Sequence, residues 1–271
     1  MVDDASEDGT EESLIAIGGL NYLRNEENLG FVGSCNRGAG QARGEYLVML
    51  NNDTEVLDGW LDGLIDTLKC EPEAGLVGAR LVYPDGRLQE SGGIIYADGS
   101  GWNYGREDVA GKPAYNFMRE VDYCSGACIA LRTELFRELG GFDERYAPAY
   151  YEDTDLAFRI RDAGLKVLVQ PASTVIHHEG VTSGTDLSTG VKQYQLINQE
   201  KFVDRWQEEM KLQPGSSTDT NDHKALRAAR SHRLMGTVLY ISADASGSSP
   251  ASDRERKFDL LPCCRGLGCG V

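Results

Sequence analysis

The sequence predicts an α/β domain with a parallel sheet covered by helices, and three stretches carry that prediction. The apolar run Tyr46–Leu50 reads as a fully buried strand. Residues 57–68 place apolar side chains at 57, 60, 61, 64, 65 and 68, which is helical spacing. Residues 76–83 are strand-like again and stop at the turn Pro84-Asp85-Gly86. Strand, helix and strand in succession is the pattern of a parallel sheet. With 271 residues and 41% apolar content, the chain can form one large domain or two small ones around a sizeable core.

The other elements follow in order. Residues 14–23 suit a short helix or a strand, and residues 34–43 are rich in small side chains, closed by Gly44. Residues 86–120 are rich in Gly, Tyr and Asn, with weak periodicity. "CIALR" reads as a strand, residues 133–139 as a helix, and "GGFDE" as a turn. Residues 151–163 read as a helix with Leu156, Ile160 and Ala163 on one face and Gly164 as its stop. "KVLVQP" and "STVIHH" read as two short strands, and residues 190–210 as a helix. "QPGSSTDTND" is a linker, "KALRAARSHRLM" a basic helical stub, and "GTVLYISADASG" a strand followed by small residues.

Charge and cysteine content narrow the function. The net charge of −16, from 43 Asp+Glu against 27 Lys+Arg, argues against broad nucleic-acid binding, which needs a basic footprint. It leaves room for one anionic ligand held by a local site or a metal. No run of about 18 apolar residues exists, so no membrane-spanning helix is expected. The start "MVDDASEDGT" is acidic and polar, unlike a signal peptide. Of the seven cysteines, Cys35, Cys70, Cys124 and Cys128 read as reduced buried thiols. Cys263, Cys264 and Cys269 lack the fourth ligand and spacing of a zinc site.

Three polar groupings are candidates for chemistry. Asn51-Asn52-Asp53 ends a strand, where open α/β sheets bind ligands. The triplet is a good turn, and it can equally hold Mg²⁺ or Mn²⁺: Asp53 supplies a carboxylate, and Asn51 or Asn52 a neutral oxygen or a bond to phosphate. Glu152, Asp153 and Asp155 open a helix, where acidic residues complement the dipole; the same field keeps a carboxylate ionised, as a general base requires. The aromatic residues before them, Tyr146, Tyr150 and Tyr151, offer faces for a sugar ring. His177 and His178 follow a strand; a histidine there is structural or a metal ligand, and His177 and Asp53 could converge on one cation.

These segments together resemble the family-2 glycosyltransferases of the GT-A fold, particularly bacterial enzymes of polysaccharide and O-antigen assembly. The resemblance covers residues 2–210 and rests on "VDDASEDGT", "NLGFVGSCNRGAGQARGEYLVMLNNDTEV", "GGFDERY", "YYEDTDLAFRIRDAG" and "VIHHEGVTSG", in family order. It implies a Rossmann-like mixed sheet flanked by helices. It implies that Asp3 or Asp4 contacts the nucleotide base or ribose, and that Asn28, Gly30, Asn36 and Arg43 line the nucleotide pocket, with Asn51 and Asn52 also on the donor side. Asp53 matches the last Asp of the metal motif, whose first Asp is here Asn51, and His177 matches the histidine near metal and diphosphate. Glu152-Asp153 matches the catalytic acidic pair with Asp153 the base, while Gly126, Tyr150, Tyr151 and Asp155 fall on the acceptor side. The implied reaction is inverting transfer from a nucleotide-diphosphate sugar to a saccharide or lipid-linked acceptor, assisted by Mg²⁺ or Mn²⁺. The implied setting is the cytoplasm at the inner membrane face, with at most peripheral membrane association.

The same resemblance implies a domain plan. Residues 1–212 form the transferase domain, 213–236 a linker and helical stub, and 237–271 the disordered, incomplete start of a second glycosyltransferase domain. In the family a strand and helix precede "VDD", so the expectation is a domain that lacks both. Two other readings stay open. A nucleotide-sugar pyrophosphorylase shares the alternating start but carries a Gly-rich, Arg-containing phosphate loop, which is not found here. A weak or inactive module that binds saccharide or scaffolds other enzymes is the second.

Overall fold

The computed structural model describes residues 1–179, 193–216, 223–233, 236–237 and 269–270. It divides into two compact units, Met1–Thr218 and Asp219–Val271.

In chain order the first unit comprises β1 (Val2–Asp3), α1 (Thr10–Ile15), β2 (Leu23–Arg24), α2 (Gly30–Gln41), β3 (Tyr46–Leu50), β4 (Thr54–Val56), α3 (Trp60–Cys70), β5 (Ala74–Val82), β6 (Leu88–Glu90), β7 (Gly93–Ile95), β8 (Gly101–Asn103), β9 (Arg119–Glu120), β10 (Cys128–Arg132), α4 (Thr133–Glu138), α5 (Glu152–Asp162), β11 (Lys166–His177), α6 (Tyr194–Arg205) and α7 (Gln207–Met210). The main sheet runs β3-β10-β5-β11-β4, with β6 beside β5 and β9 beside β11.

The sheet is mixed, not the parallel sheet that alternation alone predicted. β5 and β11 are parallel, while β10 runs antiparallel to both β3 and β5, and β4 antiparallel to β11. The reason lies in the connection between β5 and β10. It contains short strands and turns instead of a crossover helix, so β10 can enter from the opposite direction.

The core lies on both faces of β5, β10 and β11. On one face Leu64 and Leu68 of α3 pack with Val77, Leu81, Ala130 and Leu168. On the other, Leu156, Phe158 and Ile160 of α5 pack with Leu76, Ile129, Val167 and Val169, and Phe202 and Trp206 complete that layer. Strands covered on both faces read as continuous apolar runs, which is why they were legible in the sequence.

Several elements differ from expectation. β3 is an edge strand, with Leu47 and Met49 buried but Leu50 42% exposed, so it is not fully buried. The two strands expected near 166–177 are one strand, whose register against β5 shifts between Gln170 and Thr174. Pro171 lies in that shift and has no N–H for the ladder. The small-residue segment is helix α2, and its glycines permit close approach. A Cβ on Gly38 would meet Val2 Cγ2 at 2.8 Å. Cys35, Cys70, Cys124 and Cys128 are free, but Cys70 is exposed and Cys35 only half-buried.

The second unit contains α8 (His223–Arg230) and a parallel pairing of β12 (Gly236–Thr237) with β13 (Cys269–Gly270). The expected disorder of 237–271 falls, apart from Thr237 and Cys269–Gly270, outside the described residues, as do Cys263 and Cys264. Among the described residues no helix is long and apolar enough to cross a membrane.

Candidate active site

The turn between β3 and β4 builds the first half of the site. Asn51 N–H donates to Ala127 O at 3.0 Å, and Thr54 Oγ1 donates to Asn51 O at 2.6 Å, closing the turn. β4 then pairs with the end of β11, placing Thr54 opposite His177. His178 N–H donates to Asp53 O at 2.9 Å, which extends the pairing. Asp53 Oδ1 therefore lies 3.2 Å from His177 Nε2, with both side chains largely buried.

The proton on His177 is placed by its neighbours. Gln89 Nε2 donates to Glu179 Oε2 at 3.3 Å, so Gln89 Oε1 is the atom that faces His177 Nδ1 at 2.9 Å. A carbonyl oxygen can only accept, so a neutral imidazole carries its proton on Nδ1. Nε2 then presents a lone pair towards Asp53 Oδ1, a buried oxygen with no hydrogen-bond partner. Two lone pairs facing each other are unfavourable unless a proton or cation lies between them. Adjacent ligands of an octahedral ion with bonds of about 2.0–2.1 Å are about 3 Å apart. Asp53 and His177 fit such a cation, and Gln89 orients the imidazole as a supporting partner. Among the described residues no cluster of three His, Cys, Asp or Glu side chains forms a metal site, so waters and ligand oxygens would complete the shell.

The second half of the site is a cavity of about 360 Å³ whose walls include Trp102, Asn103, Tyr150, Tyr151, Glu90, Asp153 and Glu179. Asp153 is held by its surroundings: Gly126 N–H donates to Oδ2 at 2.8 Å, and Thr154 N–H and Oγ1 donate to Oδ1 at 2.6 and 3.2 Å. Burial raises its pKa, and these hydrogen bonds oppose the rise. Tyr150 and Tyr151, just before the helix, both adopt left-handed backbone conformations with φ of 75° and 71°. Such strain persists only where surrounding structure imposes it. Asn198 of α6 imposes it here, donating to Tyr146 O, Ala149 O and Tyr150 O. Tyr151 Oη also donates to Gly99 O at 2.9 Å.

The two halves are linked through Glu179. Its Oε2 accepts from Tyr83 Oη, Gln89 Nε2 and Arg106 Nη2, while the same glutamate borders the cavity. A hydrogen-bond chain thus runs from His177 through Gln89 to the cavity wall.

Other expected site residues sit elsewhere. Asp155 is fully buried; it accepts from Tyr146 Oη, Arg159 Nε, Trp206 Nε1 and Arg205 Nη1, so it pins α5 to the end of α6 and does not line the cavity. Tyr146, bonded to it, is buried and offers no ring face. Glu152 is buried off the cavity wall, with Oε2 unpartnered and its pKa raised well above normal, first by burial and then by the Asp153 charge. Arg43 is exposed at the entry of β3, the opposite end from Asp53, and does not join the cluster.

The expected donor-side residues are engaged internally. Asp3 accepts from Ser6 N–H, Tyr22 Oη and Arg24 Nη1, and hydrogen bonding from the Ser6 side chain first, then from Tyr22 and the Ser6 N–H, holds its pKa far below the usual carboxylate range. Asp4 accepts from Leu29 and Gly30 N–H and from Asn25 Nδ2. Asn28 Oδ1 accepts from Gly30 N–H, and Gly30 itself has φ of 72° against Pro148. Asn36 exchanges two hydrogen bonds with the Phe142 backbone, fastening α2 to the GGFDE turn. Asn52 is exposed at the turn beside Asp53.

Sequence reading missed Gln89, Glu90, Arg106, Glu179 and Asn198. The one signal was negative. The first three lie in or near the aperiodic Gly/Tyr/Asn-rich stretch, whose polar side chains serve no obvious amphipathic face.

The site so far is a mixed sheet between helices that carries an acidic residue and a histidine at its strand ends, beside an acidic cavity. The chain belongs to glycosyl transferase family 2, whose family model matches residues 1–140. It is 35% identical over 157 residues to the O-antigen biosynthesis protein RfbC of Myxococcus xanthus, which covers 56% of this chain and 12% of that protein. It is 29% identical over 214 residues to the N-acetylglucosaminyl-diphospho-decaprenol L-rhamnosyltransferase of Mycobacterium tuberculosis, covering 69% of this chain and 68% of that protein. The fold is GT-A. The crystal structure of GalNAc-T7 with UDP, GalNAc and Mn²⁺ superposes with a TM-score of 0.60 at 19% identity, covering 78% of this chain and 43% of that one.

Proposed function

We propose that this chain transfers a sugar from a nucleoside-diphosphate sugar to a hydroxyl of a saccharide or lipid-linked saccharide, with inversion. The observation that carries this reading is the buried Asp53–His177 pair, which faces inward through two lone pairs. Asp53 and His177 would hold Mg²⁺ or Mn²⁺, which when bound supplies positive charge to the departing diphosphate. The Mn²⁺ in the structure of GalNAc-T7 supports that choice of ion class.

Asp153 is the base. Its carboxylate takes the proton of the acceptor hydroxyl as that oxygen bonds to the anomeric carbon. The bond from that carbon to the phosphate oxygen breaks, and its electron pair leaves with the diphosphate. Tyr150 and Tyr151, held by Asn198, set the Asp153 position and give the sugar a wall. The names of the bacterial relatives, one of O-antigen biosynthesis and one acting on a diphospho-decaprenol-linked sugar, support polysaccharide assembly on a lipid-linked acceptor.

The test is a thermal-shift screen of UDP, GDP and their sugars with and without Mn²⁺, followed by product analysis. Stabilisation that needs the cation, with release of nucleoside diphosphate, is the expected result. Release of pyrophosphate would instead assign a pyrophosphorylase, and no cation-dependent shift would remove the donor site.

A further inference from the structure

Glu90 lies in the cavity and is not assigned by the reaction above. It is the last residue of β6, 1% exposed, and its Oε1 accepts from Ser125 N–H at 2.9 Å. Its Oε2 is buried with no hydrogen-bond partner. The next amide in the chain, Gly126 N–H, holds Asp153. Two carboxyl groups are therefore mounted on consecutive amides and border one cavity.

Their surroundings divide the two roles. Asp153 accepts three hydrogen bonds, which favour its ionised form. Glu90 accepts one, and ionising it would leave a buried charge with one oxygen unsolvated. The charged groups that act on Glu90 are Asp153 from α5, Arg106 after β8 and Glu179 after β11, while Tyr123 and Cys124 before β10 are raised by its charge in turn. Arg106, the cation among them, is already paired with Glu179 at 2.9 Å. Burial, with Asp153 adding to it, pushes the Glu90 pKa up to about 8.

We propose that Glu90 acts as an uncharged carboxylic acid whose Oε2–H binds an oxygen of the acceptor saccharide beside Asp153, which makes it a specificity-determining residue. This rests on the transferase reading above. A carboxylate can only accept hydrogen bonds, whereas a carboxylic acid also donates. Asp153 takes the hydrogen of one sugar hydroxyl while Glu90 donates to a neighbouring oxygen. The pair reads an accept-and-donate pattern that two carboxylates could not, because like charges would repel each other and demand two hydroxyl hydrogens.

The test is carboxyl ¹³C NMR on the full chain labelled at glutamate, with the Glu90 signal identified by its loss in Glu90→Gln. Glu90 is expected to titrate near pH 8, and Asp153→Asn to lower that midpoint without returning it to the ordinary range. N-acetylgalactosamine, N-acetylglucosamine, mannose and rhamnose are then added separately. At least one is expected to raise the Glu90 midpoint, because it binds the protonated form. That saccharide should bind Glu90→Gln, which keeps a donor, within a few-fold of the parent, and lose at least tenfold in Glu90→Ala. Ionisation of Glu90 below neutral pH, or a midpoint unmoved by all four sugars, overturns the proposal. Mn²⁺-dependent UDP binding, measured alongside, should be equal in parent and Glu90→Gln. Its absence in the parent would count against the transferase reading alone, since the Glu90 titration and sugar response are read without nucleotide.

Discussion

His177 Nε2 faces Asp53 Oδ1 at 3.2 Å, and the proton that could join them is drawn to the other ring nitrogen by Gln89. With a neutral imidazole the two lone pairs are left facing each other, an arrangement that a bound cation would satisfy. Asp53→Ala should therefore abolish the Mn²⁺-dependent rise in melting temperature with UDP while leaving the metal-free melt cooperative. A full Mn²⁺-dependent shift in this variant would disprove the assignment.

Gln89→Leu tests the supporting partner. Loss of the bond to Nδ1 frees the imidazole to turn and to change tautomer, and such partners are worth about 10- to 100-fold in metal affinity. Titration of Mn²⁺ at fixed UDP should show a loss in that range. An unchanged affinity would mean that His177 is oriented by other contacts.

Asp153→Asn preserves shape and removes the proposed base. Turnover should fall by about 10²-fold or more, the usual scale for general-base loss, with donor affinity little changed. Equal losses in both would move Asp153 to the donor side.

Asn198→Ala removes the amide whose two hydrogens are shared among the Tyr146, Ala149 and Tyr150 carbonyls that lead into the strained Tyr150–Tyr151 turn. Left-handed tyrosines cost on the order of 1–3 kcal/mol each, so the turn should relax and carry Asp153 with it. The expected outcome is a lower melting temperature and lower turnover at unchanged UDP affinity. A variant with full turnover would show that the turn holds its own conformation.

Asp3 and Glu90 should shape the pH dependence of stability in opposite senses. The depressed pKa of Asp3 contributes stability above its ordinary value of 3.8, and that contribution fades as pH falls below it. The raised pKa of Glu90 contributes stability in full below 4.5, and it is lost as pH rises through about 8. Denaturant melts should show Asp3→Asn with a shallower loss in acid, and Glu90→Gln with a shallower decline from pH 4.5 to 8. Parallel curves for either variant and the parent would contradict the corresponding shift.

Local patterns in the chain are enough to place strands at the centre of the sheet and the helix that carries Asp153, and to single out Asp53 and His177 as candidate partners. β5, β10 and β11 are covered on both faces, so burial wrote apolar runs into them, although Pro171 and the polar residues around it divide the run of β11 into two. Asp53 and His177 were legible because each ends or follows such a run. Which polar residues border the cavity and which hold the fold follows from long-range packing. Asp153 and Asp155 are two positions apart on one helix, yet one borders the cavity and the other is sealed against Arg159 and Trp206. Asp3 and Asn36 likewise spend their hydrogen bonds internally. Glu90 and Gln89 became visible only when the pairing of β6 with β5 carried them beside residues distant in the chain. A hydrogen bond is set by where both partners end up, and the partners of these groups are fixed by long-range packing that no local pattern encodes.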